Sequence, residues 1–405
     1  MSMVWNMPRF LRWASAERVP ATKASLAGPL IAMSEPGRAV WLPRDYASLA
    51  REGYAKNPVV FRCVRLIAEQ VAAVPLLARD GRDELDTHPV LSLLERPNPR
   101  QSRAAFLEAV VSHLLLAGNA YIEAAFVDGR PAELFALRPD RMQVVPGVRG
   151  WPEAYDYTVG SQTMRFRQEV PAGDVSPILH IAFFHPVNDH YGLAPLEAAG
   201  VSLDTLNAAA AWNKALLDNS ARPSGALVYA PSSGATLSRE QFERLKEELS
   251  DSFSGAANAG RPLLLEGGLD WKALSLSPRD LDFVEAKNAA AREVALAFGV
   301  PPQLLGIKGD ATYSNYVEAN RAFYRQTVMP LLGRVLGAIE HWLQPLLGTV
   351  RLDVDSDAVD ALSADREALW QRVGAADFLT NDEKREAVGY GRLQRADGGT
   401  EDTSL

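Results

Sequence analysis

The spacing of apolar and polar residues changes period several times along the chain, and each change predicts an element. Residues 1 to about 40 mix Pro, Gly, Ser and Arg without sustained periodicity, which predicts an irregular arm, with order beginning near Trp41. Asn57 and Pro58 then read as a helix cap and first-turn proline. Val60, Cys63, Val64, Ile67 and Val71 recur on one face, which puts Cys63 in core packing, and Pro75 stops the helix. A second helix starts at Ser102, carries Phe106, Val110, Leu114 and Ala117, and ends at Gly118 and Asn119. Alternation takes over from there. Residues 121–127 and 133–137 around an Asp128-Gly129 turn predict a hairpin, with further strands near 141–145, 155–159 and 178–184.

From Pro195 to about Ser220 the pattern is helical and alanine-rich, including Ala208 to Ala211, which permits close approach of a neighbouring helix. An insertion follows. Residues 226–229 read as a strand, Ser238 with Gln241 as a capping box for a helix bearing Phe242, Leu245 and Leu249, and 263–265 and 271–276 as strands around Gly267 and Gly268. Ser277, Pro278 and Asp280 open another helix that stops at Gly299, Val300, Pro301 and Pro302. After a glycine-containing loop, 303–313, a long helical stretch covers 314–347 through Phe323, Val328, Leu332, Val335, Ile339 and Leu343, bent by Pro330. Ser363 is expected to cap one more helix, Thr380 with Glu383 forms a second capping box, and 397–405 reads as a frayed tail.

Composition narrows the function. With 405 residues, 47% hydrophobic and 23% charged, the chain can bury a substantial core. No run of 18 apolar residues exists, since even 106–116 is interrupted by Glu108, Ser112 and His113, so no membrane span is expected. Arg9, Arg12, Arg18 and Lys23 are not followed by an apolar segment of the kind a secretory signal needs, and the single cysteine forms no internal disulfide; cytoplasmic residence fits both. The formal net charge of −8 argues against tight gripping of a phosphate backbone, but it suits a conduit along which a polyanion slides.

Motifs for catalysis do not assemble. Residues 306–310 lack the spaced glycines and Lys-Ser/Thr ending of a phosphate-binding loop. His180, His185 and His190 recur every five residues, which collects them on one side of neither a strand nor a helix, so they read as structural. Asp353, Asp355 and Asp357 begin like a calcium loop, but Ala358 and Ala364 stand where the glycine and bidentate glutamate belong. Dispersed carboxylates such as Glu285 and Asp310 leave acid–base work open without supporting it.

Six words, in order, carry a resemblance: Leu116-Ala-Gly-Asn-Ala-Tyr121, Tyr191-Gly-Leu-Ala-Pro-Leu196, Ala221-Arg-Pro-Ser-Gly225, Leu265-Glu-Gly-Gly-Leu-Asp-Trp271, Phe298-Gly-Val-Pro-Pro302 and Thr312-Tyr-Ser-Asn315. With Leu379-Thr-Asn-Asp-Glu-Lys-Arg385, the likeness spans roughly 40–390, and the chain resembles the portal proteins of long-tailed bacteriophages, including those of prophages and gene transfer agents. The resemblance implies an α+β portal-type fold with wing, stem, clip and small helical crown, assembled as a dodecameric ring. It implies a wing over 41–194, a helix over 195–221 leading to or forming the first stem helix, and a clip over 222–276. A stem helix over 277–300, a tunnel loop over 301–313, a kinked wing helix over 314–350 and a crown over 351–396 follow.

The function so implied is nonenzymatic and needs no cofactor: a channel at the unique capsid vertex for packaging and ejecting double-stranded DNA, in a virion or phage-like particle assembled in the bacterial cytoplasm. The implied partners are further copies of the chain, the major capsid protein, the terminase large subunit and the head–tail adaptor, with DNA contacted transiently and without sequence preference. Gly306, Lys308, Gly309, Asp310 and Thr312 are the expected tunnel-loop residues, Lys308 touching phosphate and Asp310 limiting the grip. Phe242, Leu245, Leu249, Phe253 and Trp271 either pack between neighbouring clips or fill the insertion's own small core. Arg222, Arg261 and Arg279 either pair across subunits with acids such as Glu266 or Asp280 or remain solvated. The rival readings are an enzyme acting on nucleic acid and an adaptor ring that passes no DNA.

Overall fold

A computed structural model of the chain describes residues 43–390 apart from 44, 82, 86, 172–173, 219–224, 230–237, 242, 245–268, 274–282 and 308–312. The chain divides into two units after Val40, and the described residues all belong to the second, Trp41–Leu405. The first long helix, α1 (Pro58–Ala73), opens as its sequence requires: Asn57 Oδ1 accepts from the amides of Val59 and Val60 at 3.0 and 3.2 Å, and Pro58 occupies the first turn. Its Val60, Cys63, Val64, Ile67 and Val71 are all fully buried.

Strands β1 (Leu76–Asp80) and β2 (Asp83–Leu85) and the short helix α2 (Pro89–Glu95) come next. Helix α3 (Arg103–Ala117) is capped by Ser102 and packs on α1 through Phe106, Val110 and Leu114. Strands β3 (Asn119–Val127) and β4 (Arg130–Leu137) form the expected hairpin, with Asp128 at φ 51° and Gly129 at φ 76°, the left-handed pair that a tight two-residue turn demands. Two three-stranded antiparallel sheets follow. One orders β4, β3 and β8 (Ile178–Ala182); the other orders β5 (Met142–Pro146), β6 (Pro152–Val159) and β7 (Gln162–Arg167).

Helices α4 (Pro195–Ala198) and α5 (Gly200–Asp218) precede a two-stranded pair, β9 (Gly225–Tyr229) and β10 (Leu269–Ala273), and α6 (Phe283–Ala297) follows it. Helices α7 (Tyr313–Phe323) and α8 (Met329–Leu347) are joined by a π turn over Tyr324–Val328. Strand β11 (Val350–Val354) pairs antiparallel with β1, and α9 (Ser363–Gly374) and α10 (Asn381–Ala387) close the described chain.

Several features differ from the sequence expectation, each for a local reason. Strands β1 and β11 are five residues each and lie far apart in sequence, so neither carries enough alternation to stand out alone. The stretch 314–347 is interrupted just before Pro330, where the Met329 amide donates to the Tyr324 carbonyl five residues back. A proline ring clashes with the carbonyl four residues before it in an α-helix, and the wider π turn relieves that clash. Ser363 is the first helical residue, with Leu362 at the cap position. The capping boxes at Ser238/Gln241 and Thr380/Glu383 form in both directions.

One apolar cluster unites α1, α3, β3, α5, α6 and α8, including Ile67, Phe106, Leu203, Val294, Leu332 and Leu343. Fully burying an aliphatic side chain is worth about 1.5–3 kcal/mol, so this cluster dominates the stability of the unit. Trp342 docks α8 under the β8 sheet by donating from Nε1 to the Ser176 carbonyl at 2.8 Å. Burial pushes the Cys63 thiol up to about 12. In the folded protein Cys63 will therefore resist a water-soluble disulfide reagent at pH 8 and react stoichiometrically in urea; rapid labelling of native protein would contradict this packing.

Candidate functional site

Two of the six motif words meet in space. Helix α3 ends at Gly118, whose φ of +70° is left-handed and whose amide donates to Leu114 O at 2.8 Å. A Cβ on Gly118 would lie 2.3 Å from Gly192 O, and one on Gly192 would lie 2.1 Å from Gly118 O and 2.5 Å from Phe183 N. Phe183 N in turn donates to Gly118 O at 2.9 Å. Three backbone segments thus touch with no room for a side chain at either glycine: the end of α3, the exit of β8 and the approach to α4.

Asn119 locks the crossing. Its Nδ2 donates to Ala117 O at 2.8 Å, and its Oδ1 accepts from Gly192 N at 2.8 Å and from His180 Nε2 at 2.9 Å. With its Nε2 proton so engaged, neutral His180 accepts at Nδ1 from the Tyr155 hydroxyl at 3.3 Å, and its ring stacks on Tyr121 at 4.3 Å. Burial, assisted by His190, pushes His180 down to about 4, and burial pushes the Tyr155 phenol up to about 12. The site therefore prefers an uncharged imidazole. Tyr155 lies on β6 and His180 on β8, so the network also ties the two three-stranded sheets together.

From this anchor the chain passes into α4 and α5. Helix α5 packs beside α6, where the Ser202 hydroxyl donates to the Glu293 carboxylate, and beside α1, where Asn57 Nδ2 donates to Asn207 Oδ1 at 3.0 Å. Between α5 and α6 the chain makes the β9–β10 pair in the register Leu227↔Trp271 and Tyr229↔Leu269. At the far end of α6, Gly299 has φ +66° and its carbonyl accepts from the Thr327 hydroxyl at 2.6 Å, which fastens the helix end to the π turn. A 3₁₀ turn over Pro302–Leu305 stops at Gly306, φ +69°, and Ile307 N donates back to Pro302 O at 3.3 Å.

Two of the expected site residues are described: Gly306 ends the turn that follows α6, and the backbone of Trp271 sits in β10, which precedes α6 in the chain. Lys308, Gly309, Asp310 and Thr312, the clip candidates Phe242, Leu245, Leu249 and Phe253, and Arg222, Arg261 and Arg279 lie outside the described residues.

Sequence reasoning did not pick out Asn119, Gly192 and His180 as one unit. The signal for two of them was a glycine in each of the motif words Leu116–Tyr121 and Tyr191–Leu196, with Asn119 beside the first. Among the described residues no group of three or more His, Cys, Asp or Glu could hold a metal, and no helix is long and apolar enough to cross a membrane.

This α+β architecture is shared with solved portal-protein chains, among them an HK97-family portal protein from Corynebacterium diphtheriae at TM-score 0.55. The model of the phage portal protein family matches residues 58–389, and the chain belongs to that family. The portal protein of Enterobacteria phage HK97 is 28% identical over 355 residues, covering 84% of this chain and 80% of that protein. Similarity is higher to a chain of the solved neck of an empty gene transfer agent particle computed with C6 symmetry: 55% identity and TM-score 0.70, covering 91% of this chain and 100% of that one. A chain of the native particle's neck, computed with C12 symmetry, is 56% identical with TM-score 0.68, over 88% of this chain and 96% of that one. The protein is a phage-type portal protein with the portal α+β fold.

Two measurements test the anchor. Gly118→Ala and Gly192→Ala should each lower stability by roughly 3 kcal/mol or more in urea melts, or prevent folding, since a Cβ at 2.1–2.3 Å from backbone oxygen forces the segments apart. Stability should also fall as pH drops. His180 and His113, the latter half-buried beside the Tyr46 hydroxyl, are both held down to about 4 from 6.5, chiefly by desolvation. The unfolded chain takes up protons below about 6.5 that the folded chain refuses, so the loss runs from pH 6.5 to 4 and then levels off. Pairing each histidine with a His→Asn variant in thermal melts across that window will apportion the loss.

Proposed function

We propose that the chain forms a dodecameric ring at the unique vertex of a phage-like capsid, a channel through which double-stranded DNA is packaged and ejected. The observation that carries this is the α5–α6 pair, with an insertion at one end and a proline-anchored loop at the other, in a chain more than half identical to one in a C12 particle neck. The C6 reconstruction agrees with the same reading, because a twelvefold ring also obeys sixfold symmetry.

In this reading residues 41–194 are the wing and the α5–α6 pair the stem. The insertion 222–276 is the clip, which docks the terminase large subunit during packaging and then the head–tail adaptor, while the wing meets the major capsid protein. The loop beyond Gly306 faces the tunnel, where Lys308 touches passing phosphate and Asp310 keeps the contact weak. A net charge of −8 suits transit rather than capture. The motor supplies the ATP chemistry; this chain supplies a rigid closed geometry whose bore must clear the roughly 20 Å width of B-DNA.

The described root of the loop sharpens the test. Leu304, Leu305 and Ile307 pack against the main core, so the root belongs to the scaffold. Replacing 308–312 with a Gly/Ser linker of equal length should leave rings unchanged in negative-stain images while DNA-filled particles fall several-fold. Normal filling would remove this loop from the mechanism, and native particles lacking a ring with an open bore would defeat the portal channel altogether.

A further inference from the structure

The π turn over Tyr324–Val328 divides two helices that are held very differently. Helix α8 buries Leu332, Val335, Ile339 and Leu343 completely. Among the described side chains of α7 only Phe323, at its last position, is buried, while Asn315, Tyr316, Val317 and Glu318 stand exposed. An 11-residue helix is marginal by itself, and a segment with few buried apolar side chains is the kind that moves before the core does. Packing against α1 is also incomplete. An open cleft of about 390 Å³ has Tyr316 and Asn320 of α7 among its walls together with Leu66, Gln70 and Ala73 of α1.

The turn itself is firmly placed. Val328 is wholly buried, the Tyr324 hydroxyl donates to Gln70 Oε1 on α1, and the Thr327 hydroxyl donates to the Gly299 carbonyl at 2.6 Å. Its bonds span five residues rather than four, and Pro330 has no amide to offer the carbonyl of Gln326, so no continuous α ladder runs from α7 into α8. Beyond the turn, Arg321 of α7 reaches Asp365 on α9 at 3.8 Å, and Arg325 of the turn shares that carboxylate at 3.9 Å. Both contacts are long and exposed to water, which makes them weak and sensitive to salt.

We propose that the π turn is a hinge on which α7 swings as a rigid helix over the cleft beside α1, and that Asp365 is the latch holding it in the position seen. A firmly seated pivot, an interrupted ladder, a lightly covered helix and room beside it are what a hinged element needs. In the channel reading, which the hinge does not require, α7 begins just after the expected tunnel loop. Its swing would carry that end of the loop while Thr327 keeps the α6 end in place.

Spin-label distances on the full chain test this. Labels at Val317→Cys and Lys56→Cys follow α7 against the residue just ahead of α1; labels at His341→Cys and Lys56→Cys follow α8 as the fixed reference. All three sites are exposed, and Cys63 stays buried. The α7 pair should show two distance populations and the α8 pair one. Asp365→Asn should raise the minor α7 population up to roughly fivefold, the scale of one exposed ion pair, and Asp365→Glu should keep the original ratio. Raising sodium chloride to about 1 M should act on the unsubstituted latch as Asp365→Asn does, so the outcome does not hang on one variant folding. A single narrow distance for the α7 pair that neither salt nor Asp365→Asn moves overturns the hinge. Equal broadening of both pairs overturns it too, because the motion would then belong to the whole unit.

Discussion

The molecule depends on one place where two backbones come too close for a side chain. Gly118 and Gly192 face each other across the end of α3 and the approach to α4, and the exit of β8 closes the third side through Phe183. Such a contact cannot be approximated by a small residue, because the nearest atoms are main-chain atoms of neighbouring segments and have nowhere to turn. The chain enters α4 and then α5 directly from this crossing. Asn119 converts proximity into a fixed geometry by holding both the amide of Gly192 and the imidazole of His180 on one side-chain oxygen.

The strongly displaced titrations in this region belong to structure rather than to reaction chemistry. A shifted histidine in a cleft is often a sign of catalysis. Here both ring nitrogens of His180 are engaged, one donating to Asn119 and one accepting from Tyr155, so the group has no spare valence for a substrate. Its low affinity for protons follows from desolvation, as does that of His113 on α3. Polar side chains with their hydrogen bonds satisfied add directionality to a junction that apolar packing alone would leave free to slide.

How far the sequence could be read depended on whether a feature's cause was local. The α1 cap at Asn57, the glycine stop of α3, the Asp128-Gly129 turn and the Thr380 capping box are decided within a few residues, and the structure has them where the pattern put them. Strand β1 pairs with β2 across a short turn at Gly81, but its other partner, β11, is more than 250 residues away, and that pairing leaves no mark on either short segment. Pro330 announced an irregularity without saying which kind; the π turn that answers it is fixed by the Thr327 contact to Gly299 as much as by the proline. Likewise the words around Gly118 and Gly192 were visible as words, while their contact was not. The expected tunnel and clip side chains remain readings of the sequence, except that Gly306 is seen to end a turn in the left-handed region that favours glycine.

The distribution of burial separates folding from assembly. The core around α1, α3 and α8 is complete within one chain, with Val64, Phe106 and Leu332 wholly buried, so a subunit has no need of neighbours to fold. Apolar side chains also stay exposed on the outer faces of well-formed helices: Phe61 on α1, Val201 on α5, Val284 and Leu296 on α6, and Phe378 beyond α9. Residues left in water on otherwise well-formed helices weaken nothing in the monomer but favour association when copies are brought together. In the proposed ring these faces are the surface left over for neighbouring copies, so association can draw on apolar area that folding of the single chain does not use.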